Sequence, residues 1–547
     1  MTFRRIGLVA LLAGFTAIFY FNAYVCDDAF IMLRVVDNYV RGWGLRWNTL
    51  ERVQVFTSPL HTLLTAAAYW WTHDPAPTPN PDRAYLTAMG LNFVFSAGAL
   101  ILYSRVVTQV GVMLLGAAIL VSSQAYVSFC SSGLESSLVY LLLVAFIGSF
   151  VALPGAFRPE NTYPPLAFSG LLLLTRLDLA PLLLPPVLFL LWRSGRQNFR
   201  AALKVALLAL LPLLVWLLFA LIYYGFPLPN TYYAKIGYDL APRILVEMGL
   251  AYLGLALVQD PVTLLATCGA LLMSVLVERR TMWLAAGVVL HLGYVVSIGG
   301  DFLGFRFLAF PLLVAVVAAA SSWSRCRRPL RPAVCAVVIG LAVVYGMVLP
   351  GSPLRAFREG PSARDVRFYF AASRLPSWRP TRPFPFAQFH RVSTLTACRQ
   401  SRARAFSVDV RDGGLGGFCE GPLEHYIYPG GISDPLIARL PIRVEGPFLP
   451  AHLTKPVPDG YVESVQTRTN RIKDTELSRY YDTLVLITRA ELFSRARWRA
   501  IWDLNMTSAR RYTGSYLAAS PPYPGEFAYR HETLGEELRR WLSGHGR

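Results

Sequence analysis

Residues 2–48 read TFRRIGLVALLAGFTAIFYFNAYVCDDAFIMLRVVDNYVRGWGLRWN. The stretch opens on Arg4 and Arg5, continues as a long apolar run, and then sets two carboxylates, Asp27 and Asp28, side by side at its edge. A basic start before an apolar run has the look of a leader peptide. The run is long, however, and no small-x-small cleavage site precedes Asp27, so it reads as a retained membrane-spanning helix. Beyond Asp27 the pattern changes. Arg34, Asp37, Asn38 and Arg41 recur at three-to-four spacing, while Phe30, Ile31, Leu33, Val35, Val36, Tyr39 and Val40 fill most of the rest. That period predicts an amphipathic helix resting along the membrane surface and ending at Gly42 or Gly44. It sets the carboxylates at the N-terminal end of this helix, just above the bilayer.

The rest of the chain repeats the first signal. Of its 547 residues 54% are hydrophobic and only 16% charged, where a soluble domain carries about 25% charged residues. Apolar runs of about 20 residues recur from Leu8 to Pro350, each long enough to cross a bilayer as a helix. Backbone in lipid must satisfy its own hydrogen bonds, so these runs are read as helices rather than open strands. Eleven spans are predicted, near 6–24, 85–103, 108–128, 134–153, 163–177, 180–193, 203–222, 260–277, 282–298, 302–323 and 332–350.

With the N-terminus in the cytoplasm, Arg105, Arg158, the Arg193–Arg200 cluster, Arg279, Arg280, Arg325, Arg327 and Arg328 all fall on cytoplasmic loops, as the positive-inside rule requires. The opposite loops hold Asp27 and Asp28, Glu135, Arg176 to Asp178, Asn230 to Lys235, and Gly299 to Asp301. An odd span count sends residues 351–547 outside. Two apolar stretches, 58–72 and 245–258, are too short or too closely flanked by outer-face motifs to cross, and are read as interfacial or re-entrant helices. The net charge of +19 is taken up by this orientation signal. No nucleic-acid-binding motif accompanies it, so no nucleic acid is expected as a partner.

The domain plan is therefore 1–350 as a membrane domain, with a first outer loop at about 25–57, and 351–547 as an extracytoplasmic α+β domain. In the latter, Thr483–Ile487 reads as a strand, Thr488 and Glu491 have the spacing of a helix-starting capping box, and Gly413–Gly417 reads as a loop. The seven cysteines show no CxxC and no metal-ligand spacing. Cys398 and Cys419 are the two in the polar C-terminal region, where an extracytoplasmic setting permits a disulfide between them.

Six segments taken in order carry a resemblance: DDAFIMLRVVDNYVRGWGLRWN (27–48), ERVQVFTSPL (51–60), SSGLESSL (131–138), TRLD (175–178), YYGFPLPNTYYAK (223–235) and GGDFLGFRFL (299–308). They resemble the bacterial GT-C glycosyltransferases, and most nearly the AftB-like arabinofuranosyltransferases of the mycobacterial envelope. ISDPLIARLP (432–441), KPVPDGY (455–461) and RAIWDLN (499–505) look like that group's C-terminal domain. The resemblance implies a polytopic α-helical enzyme of GT-C fold that uses a polyprenyl-phosphate-linked sugar, here decaprenyl-phospho-arabinose, on the periplasmic side. It also implies an envelope arabinan or other glycan as acceptor. Family members carry an acidic motif in the first outer loop, matched here by Asp27 and Asp28, and the resemblance implies that one such aspartate is the general base.

Chemistry leads to the same residues. An acceptor hydroxyl must lose a proton as it attacks the anomeric carbon, and a carboxylate within hydrogen-bond reach can take it. A phosphate is already a good leaving group. It needs positive charge beside it rather than an acid, and the outward-facing cations are Arg306, Lys235, Arg176 and Arg34. Glu135, Asp178, Asn230, Tyr232, Tyr233 and Asp301 are the candidates for sugar contacts or for supporting those cations.

Each has a plainer alternative. Asp27 or Asp28 caps a helix, Glu135 begins the next span, Arg176 pairs Asp178, Asp301 pairs Arg306, and Asn230, Tyr232 and Tyr233 anchor an interface. His61, His291, His425 and His452 have no metal spacing and are read as packed or solvated. No cofactor is required. A divalent cation between Asp27 and Asp28 stays open. So do another polyprenyl-phosphate sugar such as mannose, a transporter, and a glycan-binding scaffold.

Overall fold

The computed structural model describes residues 2–72, 81–155, 157–236, 242–301, 303–325, 405–411, 413–442 and 454–506. The expected span 332–350, Cys398, His452 and much of the proposed C-terminal domain lie outside these residues. Within them the chain is mostly helical, and helices occupy each predicted span. Among the described residues six helices are long and apolar enough to cross a membrane: Arg4–Asn22, Asp82–Val106, Leu177–Gly195, Phe199–Tyr224, Pro242–Gln259 and Arg306–Arg325. The stretch 245–258, read from sequence as an interfacial or re-entrant helix, lies within Pro242–Gln259, an 18-residue helix long and apolar enough to cross. Pro59–Thr72 is a helix of 14 residues, short of a crossing length.

Arg306–Arg325 is the centre of the bundle. Almost its whole length is buried, with Ser136–Val151, Pro261–Val277, Met282–Ser297 and Val110–Ser122 packed around it. Its alanines, Ala315, Ala318, Ala319 and Ala320, let neighbouring backbones come close. A comparable approach occurs at Gly287, where an added Cβ would run into the Leu182 backbone.

At one end of the bundle, arginines cover backbone carbonyls at helix ends. Arg4 donates to Ser104 O, Arg280 to Leu153 O and Arg325 to Val151 O, each at 2.6 Å. At the other end lie Asp27, Glu135, Arg176, Lys235 and Asp301.

Helix Asp27–Val40 is not an exposed surface helix. Its polar stripe is buried along with its apolar one, including Arg34, Asp37 and Asn38. The cause is a second layer that the sequence did not reveal: helix Gly414–Glu420 covers it from one side and Pro59–Thr72 from another. Asp37 accepts from Tyr69 Oη at 2.9 Å and pairs Arg41 at 2.8 Å, while Asn38 donates to Arg46 O and Trp47 O.

Beyond the bundle, strands Ser407–Asp409 and Glu424–Tyr426 pair in parallel, with Val408 opposite His425. A separate core forms from Leu436, Ile437, Tyr461, Leu477, Leu484, Ile487 and Ile501, and it packs on Phe226 just past the Phe199–Tyr224 helix. Two expectations fail here. Thr483–Ile487 lies inside helix Thr475–Arg489, whose start is capped by Asp474 accepting from Leu477 N at 2.8 Å. The 3.6-residue spacing of buried Leu477, Tyr480, Tyr481, Leu484 and Ile487 overrides the local β-branched run. Thr488 therefore starts no helix; its hydroxyl donates back to Leu484 O at 2.8 Å. Gly413–Gly417 is likewise not a plain loop, since Gly414 begins a helix.

Candidate functional site

The charged motifs at the Asp27 end, spread along the chain from Asp27 to Arg306, converge. Arg176 is set at the end of Tyr163–Thr175, where the chain turns into Leu177–Leu179. Its guanidinium donates to Glu135 Oε1 at 2.5 Å, at the start of Ser136–Val151, and to both oxygens of Asp178 at 2.9 and 2.5 Å. Arg306 pairs Asp301 at 2.9 Å. Both plain pairings expected from sequence, Arg176 with Asp178 and Asp301 with Arg306, are thus present, but they belong to one cluster. Arg176 feels Asp301, and Arg306 feels Glu135 and Asp28.

Lys235, at the end of the short helix Asn230–Ile236, reaches into the same field. Burial, then Arg306, pushes its ammonium below the ordinary lysine range, against the pull of Asp301 and Asp28. Among the described residues Lys235 donates no hydrogen bond.

The two aspartates divide. Asp27 Oδ1 accepts from the Leu415 backbone N–H at 2.8 Å. Gly414 lies so close that a Cβ there would overlap the Asp27 carboxylate. Asp27 thus meets the amino end of the Gly414–Glu420 helix, not only its own. Asp28 is half-buried and accepts no hydrogen bond from the described residues. It stands in the field of Arg306 and Lys235.

Other expected site residues sit elsewhere. Arg34 does not join the phosphate-facing cations. It is wholly buried, donates to Trp47 O, Gly417 O and Glu424 O at 3.0, 2.9 and 2.6 Å, and lies over the Trp47 and Tyr426 rings at 4.5 and 5.0 Å. A guanidinium has the planar fork needed to hold three carbonyls at once. Asn230, a candidate for sugar contacts, is bonded within the protein. Its amide donates to Gly431 O, Ile432 O and Asp434 O, and its Oδ1 accepts from Arg439 at 3.2 Å. Tyr233 lies under the Arg439 guanidinium at 4.4 Å, and Tyr232 points to the surface. These residues tie the bundle to the C-terminal segment.

Sequence reading missed a third group. Glu51, His425 and Asp434 are all buried, and their ligand atoms lie within 4.8 Å of one another, so among the described residues they form a group able to hold a metal ion. No spacing betrays it, because each comes from a different segment. Its chemistry is that of a joint. Arg489 pairs Glu51 at 3.3 Å; Asp434 accepts from Leu436 N, Ile437 N and Tyr461 Oη at 2.9, 2.8 and 2.6 Å. Burial and the nearby Asp434 push Glu51 up to about 7 although Arg489 opposes this, while burial, Arg489 and Arg34 push His425 well below its usual range. Asp27 and Asp28 belong to no three-ligand group among the described residues. Cys419 is disulfide-bonded.

The fold and site define a mostly helical, multi-pass membrane protein with a cluster of charges at one end of its bundle. No family model matches the chain, and no curated protein matches it. Among solved structures it is similar to the Archaeoglobus fulgidus oligosaccharyltransferase in the apo form, at 12% identity and a TM-score of 0.46 over 77% of this chain and 64% of that one. It is also similar to the oligosaccharyltransferase AglB of the same organism, in complex with an inhibitory peptide and a dolichol-phosphate, at 11% identity and a TM-score of 0.42, over 80% of this chain and 65% of that one. The chain thus spans less than two thirds of either neighbour.

Proposed function

We propose that this protein is an inverting GT-C glycosyltransferase that moves arabinofuranose from decaprenyl-phospho-arabinose to an envelope glycan on the periplasmic side. The observation that carries this reading is Asp28, a carboxylate with no hydrogen bond from the described residues, in the field of Lys235 and Arg306. Asp27, bound by the Leu415 N–H, is the positioning member of the pair, and Asp28 is the base.

The chemistry needs one displacement. The acceptor oxygen forms a bond to the anomeric carbon while its proton passes to Asp28. The bond from that carbon to the phosphate oxygen breaks with its electron pair, and polyprenyl phosphate leaves. Lys235 and Arg306 neutralise the charge gathering on the phosphate. Arg176 holds Glu135 and Asp178 beside them and adds to the positive charge that meets the phosphate. On this reading residues 1–350 are the catalytic membrane domain that binds the lipid donor, and residues 351–547 are the periplasmic domain. The six motifs that resemble the AftB-like group supply the sugar assignment.

The purified full chain in nanodiscs, given decaprenyl-phospho-arabinose and an arabinan fragment, should release polyprenyl phosphate and extend the glycan. Transfer from a polyprenyl-phosphate mannose alone would keep the fold assignment and replace the sugar. Full activity in a folded Asp28→Asn protein would remove the base assignment.

A further inference from the structure

One surface takes no part in the charged cluster: helix Arg495–Met506 and the turn before it. Its inner face belongs to the C-terminal core through Arg497, Ala500 and Ile501. Two bonds fix its place. Arg497 Nη2 donates to Tyr223 O at 3.1 Å, and Asn505 Nδ2 donates to Gly225 O at 2.9 Å. Tyr223 and Gly225 flank the end of Phe199–Tyr224, a 26-residue candidate membrane span. The helix is therefore attached where that span leaves the bilayer. Arg46 reaches the same point, donating to Tyr223 Oη at 3.2 Å, with exposed Trp43 three residues before it.

The outer face is unusual for a soluble surface. Phe493, Trp502 and Met506 are 75%, 66% and 65% exposed, with exposed Arg495 and Arg499 interleaved. Residues 495, 499, 502 and 506 fall on one side of a helix. A shallow groove of about 490 Å³ is lined by Phe493, Arg495, Trp498, Arg499, Trp502 and Asp503. Single exposed apolar residues need no explanation. Aromatic and basic side chains aligned at the end of a span match the composition of a membrane–water boundary.

We infer that helix Arg495–Met506 is a membrane foot. Phe493, Trp502 and Met506 enter the boundary between headgroups and acyl chains, and Arg495 and Arg499 hold the phosphate of an anionic lipid in the groove. Asp503 is the single acidic member of the lining, so the groove carries a positive balance.

The full chain tests this in nanodiscs of phosphatidylcholine and phosphatidylglycerol, on a Cys268→Ser background with parent labelling subtracted. A spin label on Met506→Cys is compared with one on the exposed aqueous reference Asp459→Cys. Oxygen should reach the label at 506 several-fold better, relative to a nickel chelate, than the label at 459. Native mass spectrometry should show phosphatidylglycerol retained over phosphatidylcholine, and Arg495→Gln with Arg499→Gln should weaken that preference by roughly five-fold per arginine. Nickel access at 506 equal to that at 459, or an unchanged lipid preference in the double variant, overturns the proposal.

Discussion

Two charged regions of this molecule use the same side chains to opposite ends. Around Arg34, Glu51 and Arg489, the charges meet fixed partners: three backbone carbonyls hold Arg34, and Arg489 meets Glu51. Around Arg306, Lys235 and Asp28, paired charges stand beside groups with no bond to the described residues. Buried charge held by fixed partners keeps a structure in register. Charge kept in place by its neighbours but left with an open valence is what a reacting substrate can use.

The sharpest way to break this contrast is Asp28→Asn. On the proposed chemistry it should cost about 10²–10⁴-fold in transfer, with the thermal midpoint unchanged. Asp27→Asn keeps an acceptor for the Leu415 N–H and should retain most activity. Equal losses in both would erase the division between them. Next is Arg176→Ala, which leaves buried Glu135 and half-buried Asp178 without their partner. A loss of about 3–5 kcal/mol is expected, read by denaturation in detergent.

Arg34→Lys tests the joint. It keeps the charge but loses the fork, and should destabilise by about 2–4 kcal/mol; a neutral result would mean that the fork geometry does not hold the joint. Gly414→Ala pushes a methyl into the Asp27 carboxylate and should cost about 1–3 kcal/mol.

The smallest effect is a pair of opposing pH slopes. Glu51, raised to about 7 when folded, contributes stability that is present at acid pH and is lost as pH rises from the free-carboxylate range through about 7. His425, depressed by burial, does the reverse, and its penalty grows as pH falls below 6.5. Glu51→Gln should remove the first slope and His425→Gln the second, in melting curves taken across that range. An unchanged curve in both variants would separate these groups from the joint.

The membrane helices were legible because lipid demands long apolar runs, whatever their neighbours. Arg176 with Asp178 and Asp301 with Arg306 were legible because each pair is close in sequence. The partners of Arg34, Asn230 and Tyr233 are hidden in the sequence for one reason. They lie near residues 417–439, and a polar side chain that binds a distant carbonyl looks the same in sequence as one that awaits a ligand. The Glu51, His425 and Asp434 group was invisible for the same cause. The amphipathic period of 27–40 was read correctly as a helix but not as a buried one, since burial of its polar stripe depends on Gly414–Glu420.

The distances along the chain have a consequence for synthesis. The segment from Asp27 to Gln54 is among the first made. Yet Leu415 closes on Asp27, and Arg489, 438 positions later, closes on Glu51. A ribosome must therefore deliver nearly the whole polypeptide before the first loop has its partners. A truncated product would carry the aspartates without the frame that separates their roles, which ties competence to completed translation.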